Sequence, residues 1–350
     1  MDKVMLGRTG LRVARLGFGG IPIQRLEFGA AVRLVREAID NGIEFIDTAR
    51  AYSDSERKIG AALAGRRRDR VVIATKAHGL DAATMAANIE ASLSELRCGW
   101  IDLYQMHSLD NWERFRQATG PGGAMRALVA AKLAGKVRHI GVSSHSLDFL
   151  ERLLAEAPNA FETIQVPLNF VGDEAGARLL GPARAAGVGF IAMKPMGGGA
   201  LERPDLALRY VLQFDGVVAI PGIETRSELR QNLRLARCPR PPAGSELRDL
   251  AALRRRLGRM FCRKCDYCRP CPADIQISLA LGAETLVRRF NRQTLAGWCL
   301  DVMRKAAACR KCGACEKRCP YRLPIRRLLA EKVAFFRKAV AEMGIEWGGN

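Results

Sequence analysis

The sequence has no run of about 18 apolar residues, which excludes a membrane-spanning helix. Its start, MDKVMLGRTG, lacks the apolar core and cleavage pattern of a secretory signal. A cytoplasmic location with no membrane partner is therefore expected. Heme and flavin motifs are also missing. So are a helix-turn-helix and any basic motif interleaved with aromatics, and nucleic acid is not the expected partner despite a formal charge of +20. What remains is 350 residues, 48% apolar and 26% charged, the composition of a soluble globular protein with room for more than one core. Disorder, a collagen-like fibre and a disulfide-built mini-protein are excluded.

Charge and cysteine are unevenly spread. Residues 1–238 hold 32 Lys+Arg against 26 Asp+Glu, a surplus of 6, whereas residues 239–350 hold 24 against 10, a surplus of 14. Nine of the 11 cysteines fall in that last third, eight of them in two tight groups. At the junction, RCPRPPAGSEL (237–247) carries three prolines and a glycine, which break a helix and read as a linker. Two domains are predicted, 1–238 and 239–350.

In the first part, short apolar β-rich runs alternate with longer amphipathic stretches, the pattern of parallel βα units. Predicted strands are 14–20, 44–49, 71–76, 101–107, 139–144, 163–169, 189–195 and 217–223. Helices are predicted near 29–41, 54–64, 82–96, 122–135, 146–156, 173–186, 203–214 and 225–236. Eight such units within about 225 residues predict an α/β fold of the (β/α)8 barrel type, followed by a mainly helical second domain. A doubly wound sheet lacks its fingerprint, because Pro22 replaces the third glycine after LGFGG. VMLGRTGLRV before the first strand reads as a capping hairpin.

A barrel places chemistry at the C-terminal ends of its strands. Asp47, Lys76 and His107 lie at the ends of consecutive predicted strands, and Tyr52 follows in the next loop. Singly they are an ordinary turn residue, a snorkelling lysine, a core histidine and a rim aromatic. Together they are a coherent acid. A phenol with a pKa near ~10 donates poorly unless a cation stabilises its phenolate. Lys76 can be that cation, Asp47 can keep it charged, and His107 can orient a carbonyl oxygen as its carbon receives a hydride. His78 and His139 read as structural, and His145 as a pocket residue.

DTARAYSDSERKIGAAL (47–63), VIATK (72–76), IDLYQMH (101–107) and GKVRHIGVSS (135–144) resemble aldo-keto reductase motifs in order and spacing, over roughly residues 4–235. The resemblance implies a catalytic tetrad of Asp47, Tyr52, Lys76 and His107, with Tyr52 as proton donor and a small carbonyl substrate. It also implies a nicotinamide cofactor stretched across the barrel mouth. Gly19, Gly20 and Ile21 would lie beside the nicotinamide half, and Ser143, Ser144 and Gln165 would bond its carboxamide. Lys194, Pro195, Gly197 and Gly199 of KPMGGG (194–199) would track the pyrophosphate. Ile220, Pro221, Gly222, Arg226, Gln231 and Asn232 of IPGIETRSELRQN (220–232) would hold the adenosine end. Met193 stands where the family often stacks an aromatic, and Ser144 where it often has Asn. Gly222 and Glu228 fall where many NADPH-preferring relatives carry cations. Arg226 is then the contact for a 2′-phosphate and favours NADPH over NADH. Specificity is expected in loops such as 108–120.

The cysteines run Cys262-x2-Cys265-x2-Cys268-x2-Cys271-Pro and Cys309-x2-Cys312-x2-Cys315-x3-Cys319-Pro. The second is the bacterial ferredoxin pattern, in which three close thiolates hold a cubane and the cysteine before proline serves the other cluster. Structural zinc is the alternative, and one cluster is an alternative to two. Cys98, Cys238 and Cys299 fit neither run. The 37 residues between the runs include helical stretches, and the segment resembles the helical type of two-cluster ferredoxin domain. That implies two [4Fe–4S] clusters, each taking three cysteines from one run and the fourth from the other. The first run departs in having two residues before its last cysteine. Two oxidised clusters of about −2 each leave about +10 on this part, a surface suited to an acidic ferredoxin or flavodoxin.

Three functions are compatible with these features. The barrel is a carbonyl reductase with structural or redox-sensing clusters, or a ferredoxin-coupled oxidoreductase, or a nucleotide-sensing scaffold that docks a redox partner. The intact tetrad favours catalysis.

Overall fold

The computed structural model describes residues 1–65 and 67–348. Runs such as VIATKA and IDLYQM are buried at nearly every position, as parallel strands covered on both faces must be. A hairpin of β1 (Lys3–Met5) and β2 (Arg12–Ala14) comes first. Among the described residues, eight strands then pair in parallel, each with the next. They are β3 (Phe18–Gly19), β4 (Phe45–Asp47), β5 (Val72–Ala77), β6 (Ile101–Met106), β7 (Val137–Ser143), β8 (Thr163–Pro167), β9 (Gly189–Met193) and β10 (Val217–Ile220). Parallel bridges Leu16–Ala219 and Gly19–Gly222 join the last strand to the first and close the barrel.

Between the strands lie α1 (Phe28–Asp40), α2 (Ser55–Ala62), α3 (Ala82–Leu96), α4 (Trp112–Thr119), α5 (Ala124–Leu133), α6 (Leu147–Glu156), α7 (Glu174–Ala185) and α8 (Pro204–Leu212), with α9 (Arg226–Arg237) after β10. The expected segments are all present, and α4 is extra. Its stretch, read above as a loop, is helical because Asn111 caps it by accepting from the Arg114 amide and because Phe115 and Ala118 bury one face.

Strand periodicity sorts the side chains. Phe45, Ala74, Leu103, Ile191 and Val218 form a layer inside the barrel, joined by Leu6 and Val13 of the hairpin. Two residues further along the same strands stand Asp47, Lys76, Gln105, Met193 and Ile220. A period of two aims these inward as well, one layer nearer the C-terminal rim. The hairpin seals the opposite end. Gly7 sits there at φ +55°, and a Cβ on it would lie 2.2 Å from the Gly189 amide nitrogen, so only glycine fits this contact.

The chain divides into two compact units, one of residues 1–197 and 203–242, the other of residues 198–202 and 243–348. The second is helical, with α10 (Ser245–Gly258), α11 (Ile277–Ala280), α12 (Ala283–Arg289), α13 (Arg292–Thr294), α14 (Leu300–Ala307), α15 (Ala314–Arg318) and α16 (Ile325–Glu342). Its core gathers Leu286, Met303 and Phe336 with Cys268 and Cys315. No helix among the described residues is long and apolar enough to cross a membrane.

Candidate functional site

At the C-terminal rim, Lys76 is fully buried and Asp47 nearly so, at 0% and 3% exposure. The Lys76 ammonium donates to both Asp47 carboxylate oxygens and to the Thr48 carbonyl, each at 2.7 Å. Burial pulls the pKa of this lysine down, but Asp47 and then Tyr52 offset it, and the amine is held as a cation above its ordinary value. The half-buried Tyr52 has its ring centroid 5.0 Å from Lys76 Nζ. Burial raises its phenol pKa, Lys76 pulls it back and Asp47 pushes it up, with a net rise. Lys76 therefore acts in the expected sense without overcoming burial, and Tyr52 keeps its proton at neutral pH.

His107 lies edge-on to Tyr52, ring centroids 5.9 Å apart. Its pKa is held well below the usual histidine value by burial, then by Lys76, His78 and Lys194, so the ring is neutral. Its Nδ1 is buried without a hydrogen-bond partner among the described residues, as is Gln105 Oε1. Orphaned buried polar atoms of this kind suit a polar guest. His78, read above as structural, stacks on His107 at 4.3 Å and 12°. Its place two residues beyond Lys76, on the same inward parity, was the signal for this.

The remaining expected contacts are partly occupied within the protein. Gln165 accepts from Gln105 Nε2 at 2.7 Å and reaches Met193 Sδ at 3.8 Å. Ser143 accepts from the Ser108 amide at 3.0 Å. The Ser144 hydroxyl donates to Asp110 at 2.8 Å, and that carboxylate also accepts from the His145 amide at 2.6 Å. Asp110, not foreseen, thus shapes the loop after β7. His145 Nε2 lies 2.8 Å from Lys194 Nζ. Gly19 and Gly20 sit where a Cβ would meet the Pro221 carbonyl at 2.7 Å and the Asp47 carbonyl at 2.8 Å, so barrel closure itself calls for glycine. Ile21 precedes a short 3-10 turn, Pro22–Arg25. Pro195 and Gly197 follow Lys194 in the first unit, whereas Gly199 falls in the second, where its carbonyl accepts from Arg288.

At the adenosine segment, Thr225 caps α9 and Glu228 completes a capping box. The Glu228 carboxylate accepts from the Glu224 and Thr225 amides at 2.7 and 3.1 Å. Far from opposing a phosphate freely, this acid is committed to the helix start. Arg226 is exposed and paired with Glu37 at 2.5 Å. Ile220, Pro221 and Asn232 are buried, while Gly222 and Gln231 are partly exposed.

In the second unit the cysteines gather in two cavities that mix the runs. Cys262, Cys265, Cys268 and Cys319 line one of about 310 Å³ including its mouth. Cys271, Cys309, Cys312 and Cys315 line another of about 380 Å³. The four sulfurs surround a space, and among the described residues no three His, Cys, Asp or Glu side chains converge as ligands of one ion. With Ile275, Ile277 and Leu329 as further walls, the second cavity suits a four-thiolate cluster, and Ile277, Leu281 and Ile325 do the same for the first. Burial pushes the thiols of Cys262 and Cys265 up to about 11 and that of Cys268 to about 12. Cys98, Cys238 and Cys299 remain unpaired.

A neutral phenol beside a buried ammonium, at the rim of a closed parallel barrel, has the outline of a barrel oxidoreductase. Residues 15–205, more than half of the chain, match the aldo/keto reductase family, and the chain belongs to that family. Residues 261–324 match the 4Fe-4S dicluster domain. The chain is 32% identical over 240 residues to the uncharacterized oxidoreductase YrpG of Bacillus subtilis, covering 57% of this chain and 68% of the relative. It is 32% identical over 217 residues to L-galactose dehydrogenase of Arabidopsis thaliana, covering 56% and 66%. These matches thus span about two thirds of the relatives' own lengths. An aldo-keto reductase from Klebsiella pneumoniae, crystallised with NADPH, shares the barrel fold at a TM-score of 0.62 and 24% identity, over 72% of this chain and 95% of that one.

Proposed function

We propose that the protein reduces a small aldehyde or ketone to an alcohol with NADPH, Tyr52 giving the proton. The arrangement of Lys76, bonded to Asp47 at 2.7 Å and set beneath the Tyr52 ring, is the observation that carries this reading. A bound nicotinamide would supply the hydride. The chain's own residues do the rest. The neutral His107 orients the carbonyl oxygen, Tyr52 releases its proton to that oxygen, and Lys76, kept charged by Asp47, stabilises the phenolate left behind. The preference for NADPH over NADH rests on the family resemblance, with Arg226, exposed and paired with Glu37 at 2.5 Å, as the cation that would turn to a 2′-phosphate. Tyr52→Phe should lower carbonyl reduction at least 100-fold across a broad substrate panel without preventing NADPH binding. Unchanged turnover in that variant would remove the acid assignment. NADPH binding without turnover in the unmodified protein would favour a sensing scaffold instead.

The second unit is proposed to hold two [4Fe–4S] clusters, each with three cysteines of one run and one of the other, and a reducing cytoplasm suits its unpaired thiols. Zinc gains no support from the donor arrangement. A ferredoxin-coupled oxidoreductase is the second reading, favoured by the exposure of Cys312 between Lys311 and Gly313, with Arg310 also exposed. An acidic ferredoxin or flavodoxin is its natural partner.

A further inference from the structure

The two cysteine cavities have near-identical starts. Cys262-Arg263-Lys264-Cys265 is matched by Cys309-Arg310-Lys311-Cys312, and Lys264 and Lys311 share the left-handed backbone at φ 61° and 54°. The residue after each of these four-residue starts is also left-handed, Asp266 at φ 60° and Gly313 at φ 75°. Glycine is the unstrained choice there. One run takes it and the other keeps an aspartate.

That aspartate lines its cavity. One oxygen points toward Arg269, 3.9 Å from its Nη1. The other, Oδ1, is buried with no hydrogen-bond partner among the described residues. Its charge is felt at Cys262, Cys265 and Cys268, where it adds to the effect of burial. Arg263 is the other charged residue lining this cavity among the described residues, and the charge of Lys264 acts on both Cys262 and Asp266, so Asp266 offsets about one of two cations there. The second cavity is lined by Arg310, Arg318 and Arg326 and by no acid among the described residues. Arg326 is paired with Glu316 at 2.8 Å, whereas Arg318 donates to the Cys268 and Pro270 carbonyls. Even after that pairing the second cavity is the more positive, and its Cys312 is exposed.

We propose that the two cluster sites are electrostatically unequal, with Asp266 depressing the potential of the cluster at Cys262, Cys265, Cys268 and Cys319, so that the first electron resides at Cys271, Cys309, Cys312 and Cys315. This rests on the two-cluster reading above. Reduction adds a negative charge to a centre, and nearby cations and solvent favour it while a nearby carboxylate opposes it. Asp266 is thus a tuning residue for one site, held against the backbone preference of its position.

The test is an anaerobic redox titration of the full chain followed by electron paramagnetic resonance, after iron and sulfide have been counted. Eight irons and two waves are expected. Asp266→Asn should raise the lower wave by about tenfold in its one-electron equilibrium constant, about 59 mV, and leave the upper wave in place, while Asp266→Glu should restore the gap. Where Asp266→Asn fails to load, Gly313→Asp supplies the reciprocal reading. A Cβ there meets only the Arg326 guanidinium, at 3.7 Å, and the upper wave should fall. Eight irons with one unsplit wave, or two waves indifferent to these substitutions, would overturn the inequality and spare the two-cluster reading. Four irons would overturn both.

Discussion

At the scale of single residues, the site turns on a lysine that burial alone would discharge. Lys76 stays charged because three oxygens surround its ammonium at 2.7 Å. Removing one member leaves an uncompensated charge, so Asp47→Ala should cost roughly 3–5 kcal/mol, read as a lower denaturant midpoint. His107 gives a second measurable effect. Its folded pKa lies well below its ordinary value of 6.5, so the unfolded chain binds the extra proton first as pH falls. Stability associated with His107 is therefore full above about pH 6.5 and is lost on going below it. His107→Gln should flatten the stability slope between pH 5 and 7, and parallel slopes for the two proteins would refute the buried neutral ring. Asp47, Lys76 and His107 were legible because strand ends are periodic, and Tyr52 because it follows Asp47 in the loop of the DTARAYSDSERKIGAAL motif. Asp110 was not, because its contacts with Ser144 and His145 depend on how loops after different strands meet.

At the scale of elements, alternation in the strands made the barrel readable. Phe45 and Asp47, or Ala74 and Lys76, share one parity and one interior, and a two-residue period leaves little choice of face. The extra helix α4 was hidden by its polarity. Only Trp112, Phe115 and Ala118, three apart, betray its buried side, behind an Asn cap. The capping box of α9 was equally invisible as a box, since Glu228 was weighed as a charge and not as a partner for the Glu224 and Thr225 amides. Thr225→Ala should cost about 1 kcal/mol of stability, measured by urea unfolding.

At the scale of the molecule, most of the basic surplus lies in the C-terminal third, and its cysteines were the most legible feature of all. Sequence spacing alone could not say which thiols meet. The structure brings Cys319 to the first run and Cys271 to the second. Turnover with an acidic ferredoxin should fall as ionic strength rises, because exposed charges are screened over about 10 Å at 0.1 M salt. An unchanged rate across a salt series would remove charge-guided docking.

The exchange of cysteines between runs also acts as a pair of clasps. The exchanged residues lie in segments without helix or strand, Cys271 within Phe261–Gln276 and Cys319 within Cys319–Pro324, and each clasp fastens segments roughly 40–50 residues apart, which a free chain joins only at an entropic cost. Iron and sulfide then become structural raw materials, as metal ions are for small metal-dependent domains. A chain made under iron starvation should be nicked by trypsin after Arg263, Lys264 and Lys311 while the barrel survives, and repletion before cleavage should protect it. Supply of the metal would thereby set the lifetime of half the molecule's chemistry.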